Sequence, residues 1–247
     1  MRLPTIRVTT IFLTAALLAP AIISRAQAKP SGLPPALREQ MDAASAKFTS
    51  AQADLKQEIF TRIVHDTQTQ AGQIYFLRKA GSMQMGMKLL PPDAAPGTAP
   101  AQVVEFNASK LRLFNPSTNQ VDEFSATGKN HALAETMMTV GFGASGADLA
   151  KSWTITDLGP ESIGGVKTEK LDLVSNDASI RNNFSHITIW IDPTRGVSLK
   201  QVSYQASNGM PTGDTRTVYY TNIRLNQPVS TAAFAINCKG KCTVVPH

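Results

Sequence analysis

Ala53-Asp54-Leu55-Lys56-Gln57-Glu58-Ile59-Phe60-Thr61-Arg62-Ile63 decides the fold class, because its side chains change character with a period of two. Leu55, Ile59 and Ile63 alternate with Lys56, Glu58 and Arg62, the pattern of a long strand with one wet face. Working outward, Gln73–Arg78 and Met83–Leu89 continue the pattern, followed by Val103–Phe106, Leu111–Phe114 and Gln120–Phe124. Strands return at Trp153–Leu158, Val166–Val174, His186–Ile191, Val197–Tyr204 and Thr215–Thr221. Asp192-Pro193-Thr194-Arg195-Gly196 and Asn208-Gly209 read as hairpin turns. The stretch from Pro91 to Pro100 reads as a loop within one domain, since strands resume on both sides. Upstream, Leu37, Met41, Ala44 and Phe48 recur at helical spacing, and Pro34-Pro35 suit the first turn of that helix. The expectation is a mainly β (α+β) chain of about eleven antiparallel strands, a leading helix and a helical insertion at Ala132–Val140.

The N-terminus reads as an export leader. Arg2 and Arg7 precede an apolar run from Ile11 to Ile23, and Ala26-Gln27-Ala28 is a small-x-small cleavage site. Residues 1–28 are expected to be removed, leaving 29–247 as a single domain in the periplasm. Lys29, not a cysteine, would begin the mature chain, so no lipid anchor is expected. Arg2, Arg7 and Arg25 leave with the leader, which lowers the formal charge from +6 to +3. Long runs of like charge are lacking, which argues against nucleic acid as a partner. Cys238 and Cys242 are the two cysteines. In an exported chain a disulfide closing a tight loop is favoured over a free or metal-bound pair.

Met83-Gln84-Met85-Gly86-Met87-Lys88-Leu89 is the least ordinary segment. As a strand it puts three methionines and a leucine on one face. Methionine is a weak strand former, but its flexible thioether suits a surface that remoulds around variable apolar guests. Read alone, the segment is more simply a core face. The insertion shifts that balance: Leu133, Met137 and Met138 lie on an apolar segment ended by Gly141, Gly143 and Gly146, like a flap over a sheet. Burying hydrocarbon gains about 0.8 kcal/mol per CH₂. A sixteen-carbon chain therefore represents on the order of 12 kcal/mol, and such a pocket would be useful.

Catalytic candidates are poor. Gly143-Ala144-Ser145-Gly146-Ala147 lacks the closing glycine of a nucleophile elbow, and Ser145 reads better as a helix N-cap. His65, His131, His186 and His247 are scattered away from other ligand types. Asp122 and Glu123, as strand neighbours, point to opposite faces. Neither enzyme activity nor a cofactor is expected.

Several phrases resemble the LolA-type outer-membrane lipoprotein carriers. They are Phe48 to Gln57, Gly72 to Arg78, Gln102 to Phe106 with Leu111 to Pro116, and Ile187 to Gln201 with Thr231 to Phe234. The resemblance implies an incomplete antiparallel barrel under a helical lid, with a hydrophobic cavity for acyl chains. It implies Arg78 as the residue that latches the lid. Ile74, Phe76, Met83, Met85, Met87, Leu89, Leu133, Met137 and Met138 would contact lipid. It also implies acylated lipoproteins as cargo, an inner-membrane ABC-type release complex and an outer-membrane acceptor as partners, and a monomer. Lys79 stands where a proline often follows the latch arginine. The rival reading is a lipid- or lipoprotein-sensing regulator of the same fold.

Overall fold

The computed structural model describes residues 32–79, 82–95, 97–107, 109–125 and 140–247. The leader (1–28) and most of the predicted lid helix, including Leu133, Met137 and Met138, lie outside these residues, as does His131. Helix α1 (Pro35–Lys47) opens on Pro35 at its first position, where a missing N–H costs nothing. It buries Leu37, Met41 and Ser45, and ends where Phe48 turns extended.

Twelve strands follow: β1 (Ser50–Thr61), β2 (Asp66–Lys79), β3 (Ser82–Leu89), β4 (Gln102–Asn107), β5 (Lys110–Asn115) and β6 (Gln120–Ser125), then β7 (Trp153–Ile163), β8 (Val166–Ser175), β9 (Phe184–Asp192), β10 (Val197–Ser207), β11 (Met210–Leu225) and β12 (Thr243–Pro246). The described residues also form helices α2 (Gly146–Ser152) and α3 (Ala178–Arg181), with a 3₁₀ turn at Thr231–Phe234. Among the described residues no helix is long and apolar enough to cross a membrane.

All twelve strands form one sheet in the order β12-β6-β5-β4-β3-β2-β1-β11-β10-β9-β8-β7. Each of the eleven expected strands is present, and every pairing among them is antiparallel. The sheet curls back on itself. Ile163 and Val166, at the β7–β8 turn, pack against the same core cluster as Met87, Phe106 and Leu113, although six strands separate β8 from β4 in the order. Strands β7 and β12 remain as edges, so the barrel is incomplete. A second cluster joins α1 and α2 to β7–β9 through Leu37, Met41, Val140, Leu149, Trp153 and Leu171.

Two expectations need correction, and the expected eleven or so strands are joined by a twelfth. Strand β1 stops at Thr61, and Ile63 is 83% exposed in the turn before β2. Arg62 fixes that turn by donating from its backbone N–H to Asp214 Oδ1 at 2.8 Å and from Nε to the Thr212 carbonyl at 2.7 Å. The apolar alternation therefore outruns the strand by two residues. Val140, expected to end a helix, is a buried bend residue. The count of strands rises from eleven to twelve because β12 pairs with β6, in parallel.

Chain-distant contacts create that last strand. Cys238 and Cys242 are disulfide-bonded, with Cα atoms 5.4 Å apart, and pack against Val103, Phe114 and Val121. Asn119 grips the loop: its Nδ2 donates to the Lys239 and Lys241 carbonyls at 3.1 and 3.2 Å, and its Oδ1 accepts from the Lys239 N–H at 2.9 Å. Thr243 then starts β12 by donating to the Asn119 carbonyl at 3.1 Å. Closing so short a loop contributes about 2 kcal/mol by restricting the unfolded chain. Reducing the disulfide should lower stability to urea by about that amount, and Cys238→Ser should match the reduced protein.

Candidate functional site

The inner face of the sheet is set by register. Ala53, Ile74, Met87, Val104 and Leu113 follow one another across β1 to β5 as direct cross-strand partners. The next such row on that face is Ala51, Phe76, Met85, Phe106 and Leu111. On the other side of β1, Leu55 faces Tyr220 and Gln57 faces Val218. These rows enclose a cavity of about 110 Å³. Its walls are Leu55, Ile74, Phe76, Met85 and Met87 from β1–β3, and Phe184, Ile187, Val218 and Tyr220 from β9 and β11, with Gln57, Gln201, Ser203 and Arg216 as polar members.

Of the residues expected to contact lipid, Ile74, Phe76, Met85 and Met87 line this cavity. Met83 and Leu89 share their face and pack in the same core cluster but stand outside the lining. Met83 is instead opposite Arg78. The contributions of β9–β11 were missed. In Arg216-Thr217-Val218-Tyr219-Tyr220 both alternating sets contain large apolar residues, so period two does not say which set faces in.

The methionine strand is shaped by its outer side as well. Gly86 lies directly across from Tyr75, and a Cβ there would come 2.3 Å from the Tyr75 ring. That ring meets Phe234 of the 3₁₀ turn edge to face, with centroids 4.9 Å apart. The glycine between Met85 and Met87 thus lets the C-terminal segment press on the back of the cavity wall.

Arg78 closes the end of the cavity wall. Its Nη1 donates to the carbonyls of Ser45 at 2.7 Å and Phe48 at 3.2 Å, and its Nη2 to the carbonyl of Gly143 at 2.7 Å. The guanidinium also lies 5.4 Å from the centre of the Phe48 ring. Two of these acceptors belong to the C-terminal end of α1, where a cation complements exposed carbonyls. The third lies four residues beyond the segment 126–139. Ser45 Oγ donates to the same Gly143 carbonyl at 2.7 Å. Gly143 has φ +74°, and a Cβ on it would sit 2.5 Å from the Phe48 ring, so no side chain fits there. Phe142 then inserts its ring between Phe76, stacked at 4.6 Å, and Tyr220, edge-on at 5.0 Å.

Two charged or ionisable groups of the cavity are perturbed by burial. Desolvation pushes the Tyr220 phenol well above its ordinary pKa and the Arg216 guanidinium below its own. The Tyr220 hydroxyl donates to Gln201 Oε1 at 3.4 Å.

Nothing in this arrangement is a catalytic constellation. Ser145 caps α2, accepting from the Asp148 N–H at 3.0 Å. His186 stacks on Tyr204, and His247 stacks on Phe124 beside Asp122. Among the described residues no three His, Cys, Asp or Glu groups converge as a metal site.

Neither a family model nor a curated protein matches the sequence. Some solved structures are similar to the chain at low identity. An uncharacterised conserved protein from Thermus thermophilus matches at 13% identity and TM-score 0.49, over 85% of this chain and 97% of that one. A LolA superfamily protein from Nitrosomonas europaea matches at 15% and 0.38, over 81% and 96%. The MucA/MucB complex of Pseudomonas aeruginosa matches at 13% and 0.46, over 85% of this chain but only 62% of that one.

Two outcomes are expected from these contacts. Charge-assisted bonds contribute about 1.5–3 kcal/mol each, and Arg78→Leu would strand carbonyls as well. It should cost about 3 kcal/mol in urea unfolding, with Arg78→Lys recovering less than half, because an ammonium cannot fork between Ser45 and Gly143. In the unfolded chain a tyrosine ionises near pH ~10. The Tyr220 phenol keeps its proton above that pH in the folded state, so its stabilisation is present below pH ~10 and is lost as pH rises further. Tyr220→Phe should flatten the fall in Tm above that pH, leaving the part due to Tyr75, whose phenol is raised by burial and then by Glu105.

Proposed function

We propose that the chain is an exported carrier that binds acyl chains in the cavity between β1–β3 and β9–β11 and releases them without covalent chemistry. The observation that carries this reading is the cavity wall itself. Ile74, Phe76, Met85 and Met87 come from two adjacent strands, face inward, and meet Val218, Tyr220 and Ile187 from the far side of the curl. An interior of this kind gives a hydrocarbon chain a dry surface, and methionines let that surface adapt to chains of different length.

Lipoproteins are the proposed cargo, taken from an inner-membrane ABC-type release complex and passed to an outer-membrane acceptor. Support for this finer reading is the sequence resemblance described above. The periplasm is the proposed location, supported by the leader-like residues 1–28 and by a disulfide, which needs an oxidising compartment. Arg78 is the proposed latch. Its bonds to Gly143 hold the residues that follow 126–139 against α1, and opening requires those bonds to break. Leu133, Met137 and Met138 are proposed to cover the cargo.

Native mass spectrometry of the mature protein, purified from a periplasm without detergent, tests the reading. Acylated peptide or lipid should co-purify. Met87→Asp, at a half-buried wall position, should reduce uptake of a fluorescent acyl probe by about tenfold or more. A protein that emerges bare and takes up no probe would show the methionine face to be ordinary core.

A further inference from the structure

The cavity is not uniformly apolar. At one end Phe142 lies between Phe76 and Tyr220. At the other, Arg216 faces Ser203 on β10 and Ile59 on β1 as a direct cross-strand partner, with Gln201 two residues along the same face. From Leu55, opposite Tyr220, to Ile59 is four residues of β1, or about 13 Å of strand. The lining therefore runs from aromatic rings to a cluster of donors: a guanidinium, a hydroxyl and a side-chain amide.

That cluster lacks a counter-charge. Among the described residues Arg216 forms neither an ion pair nor a hydrogen bond through its side chain, whereas Arg62, Arg78, Arg112, Arg181 and Arg195 all have acceptors. Nor do the described residues lining the cavity include a carboxylate. Arg216 is solvent-exposed, so it stands where the cavity meets water, and an anionic group of a ligand would meet its guanidinium there and form charge-assisted bonds.

We infer that Arg216, with Ser203 and Gln201, is a recognition site for the anionic head of an amphiphile whose hydrocarbon chain lies along Met87, Ile74 and Phe76. The inference rests on the acyl-binding reading and adds what the polar end of the ligand must be: a carboxylate or phosphate attached to the chain.

Calorimetric titration of delipidated mature protein with dodecanoate, dodecyl phosphate, dodecanol and inorganic phosphate separates the terms. The wild type should bind the two anionic chains about tenfold or more tighter than dodecanol, the value of one charge-assisted bond. Arg216→Gln should lose that preference, with an unchanged circular dichroism spectrum and urea midpoint as the check that the variant is folded. Ser203→Ala should weaken dodecyl phosphate more than dodecanol. Equal affinity of the wild type for dodecanol and dodecanoate, or an unchanged preference in Arg216→Gln, would overturn the anion site and leave the acyl cavity standing. Inorganic phosphate binding as tightly as dodecyl phosphate would overturn it in favour of a free-anion site. Failure of all three chain ligands to bind would remove both readings.

Discussion

Arg78 donates to the carbonyls of Ser45, Phe48 and Gly143, and those bonds join three parts of the chain that are far apart in sequence. The first two lie where α1 gives way to β1, and the third lies where the chain re-enters the described structure after residue 139. Through them the helix is pinned across the end of the inner face of the sheet, and Phe48 and Phe142 are placed in the core cluster around Phe76 and Leu55. Helix ends carry unsatisfied carbonyls that must find partners when covered. A forked, permanently charged donor satisfies carbonyls on two segments at once, which a lysine does not do. Gly143 completes the device, because only a residue without a Cβ brings its carbonyl so close beneath Phe48.

Around that joint the sheet is an uneven container. The outer side is sealed by the C-terminal segment, with Phe234 on Tyr75 and the disulfide on Val103 and Phe114. The inner side is left unfilled between β2–β3 and β9–β11. A closed barrel of this strand number would have no free edge, whereas here β7 and β12 are the edge strands of the sheet. An adaptable wall and a polar end are together what an amphiphile needs: the chain is released from water, and the head is oriented.

Much of this was legible locally. Period-two alternation and the turns at Asp192–Gly196 and Asn208-Gly209 placed all eleven antiparallel strands, and Met83-Gln84-Met85-Gly86-Met87 announced an unusual inner face. Four of the six described residues expected to contact lipid do line the cavity. Met83 and Leu89 do not, since they stand near the two ends of β3, opposite Arg78 and Gly72, beyond the part of the strand that borders the cavity. Ile63 failed for a comparable reason: alternation reports which face a residue would take, not where the ladder stops, and Arg62 ends the ladder by bonding to Thr212 and Asp214.

The sequence by itself determined the β class, the succession of strands and turns, and the leading helix, since each depends on neighbours within a few residues. It also marked Arg78 and the cysteine pair. Only the tertiary structure decided that β12 exists, because Asn119 and the disulfide loop hold Thr243–Pro246 beside β6 from more than a hundred residues away. Likewise it alone decided that Val218 and Tyr220, not Tyr219, face the cavity, and that Arg216 joins them in its lining. Those outcomes follow from the order and curl of the whole sheet, which bring together residues that share no local pattern.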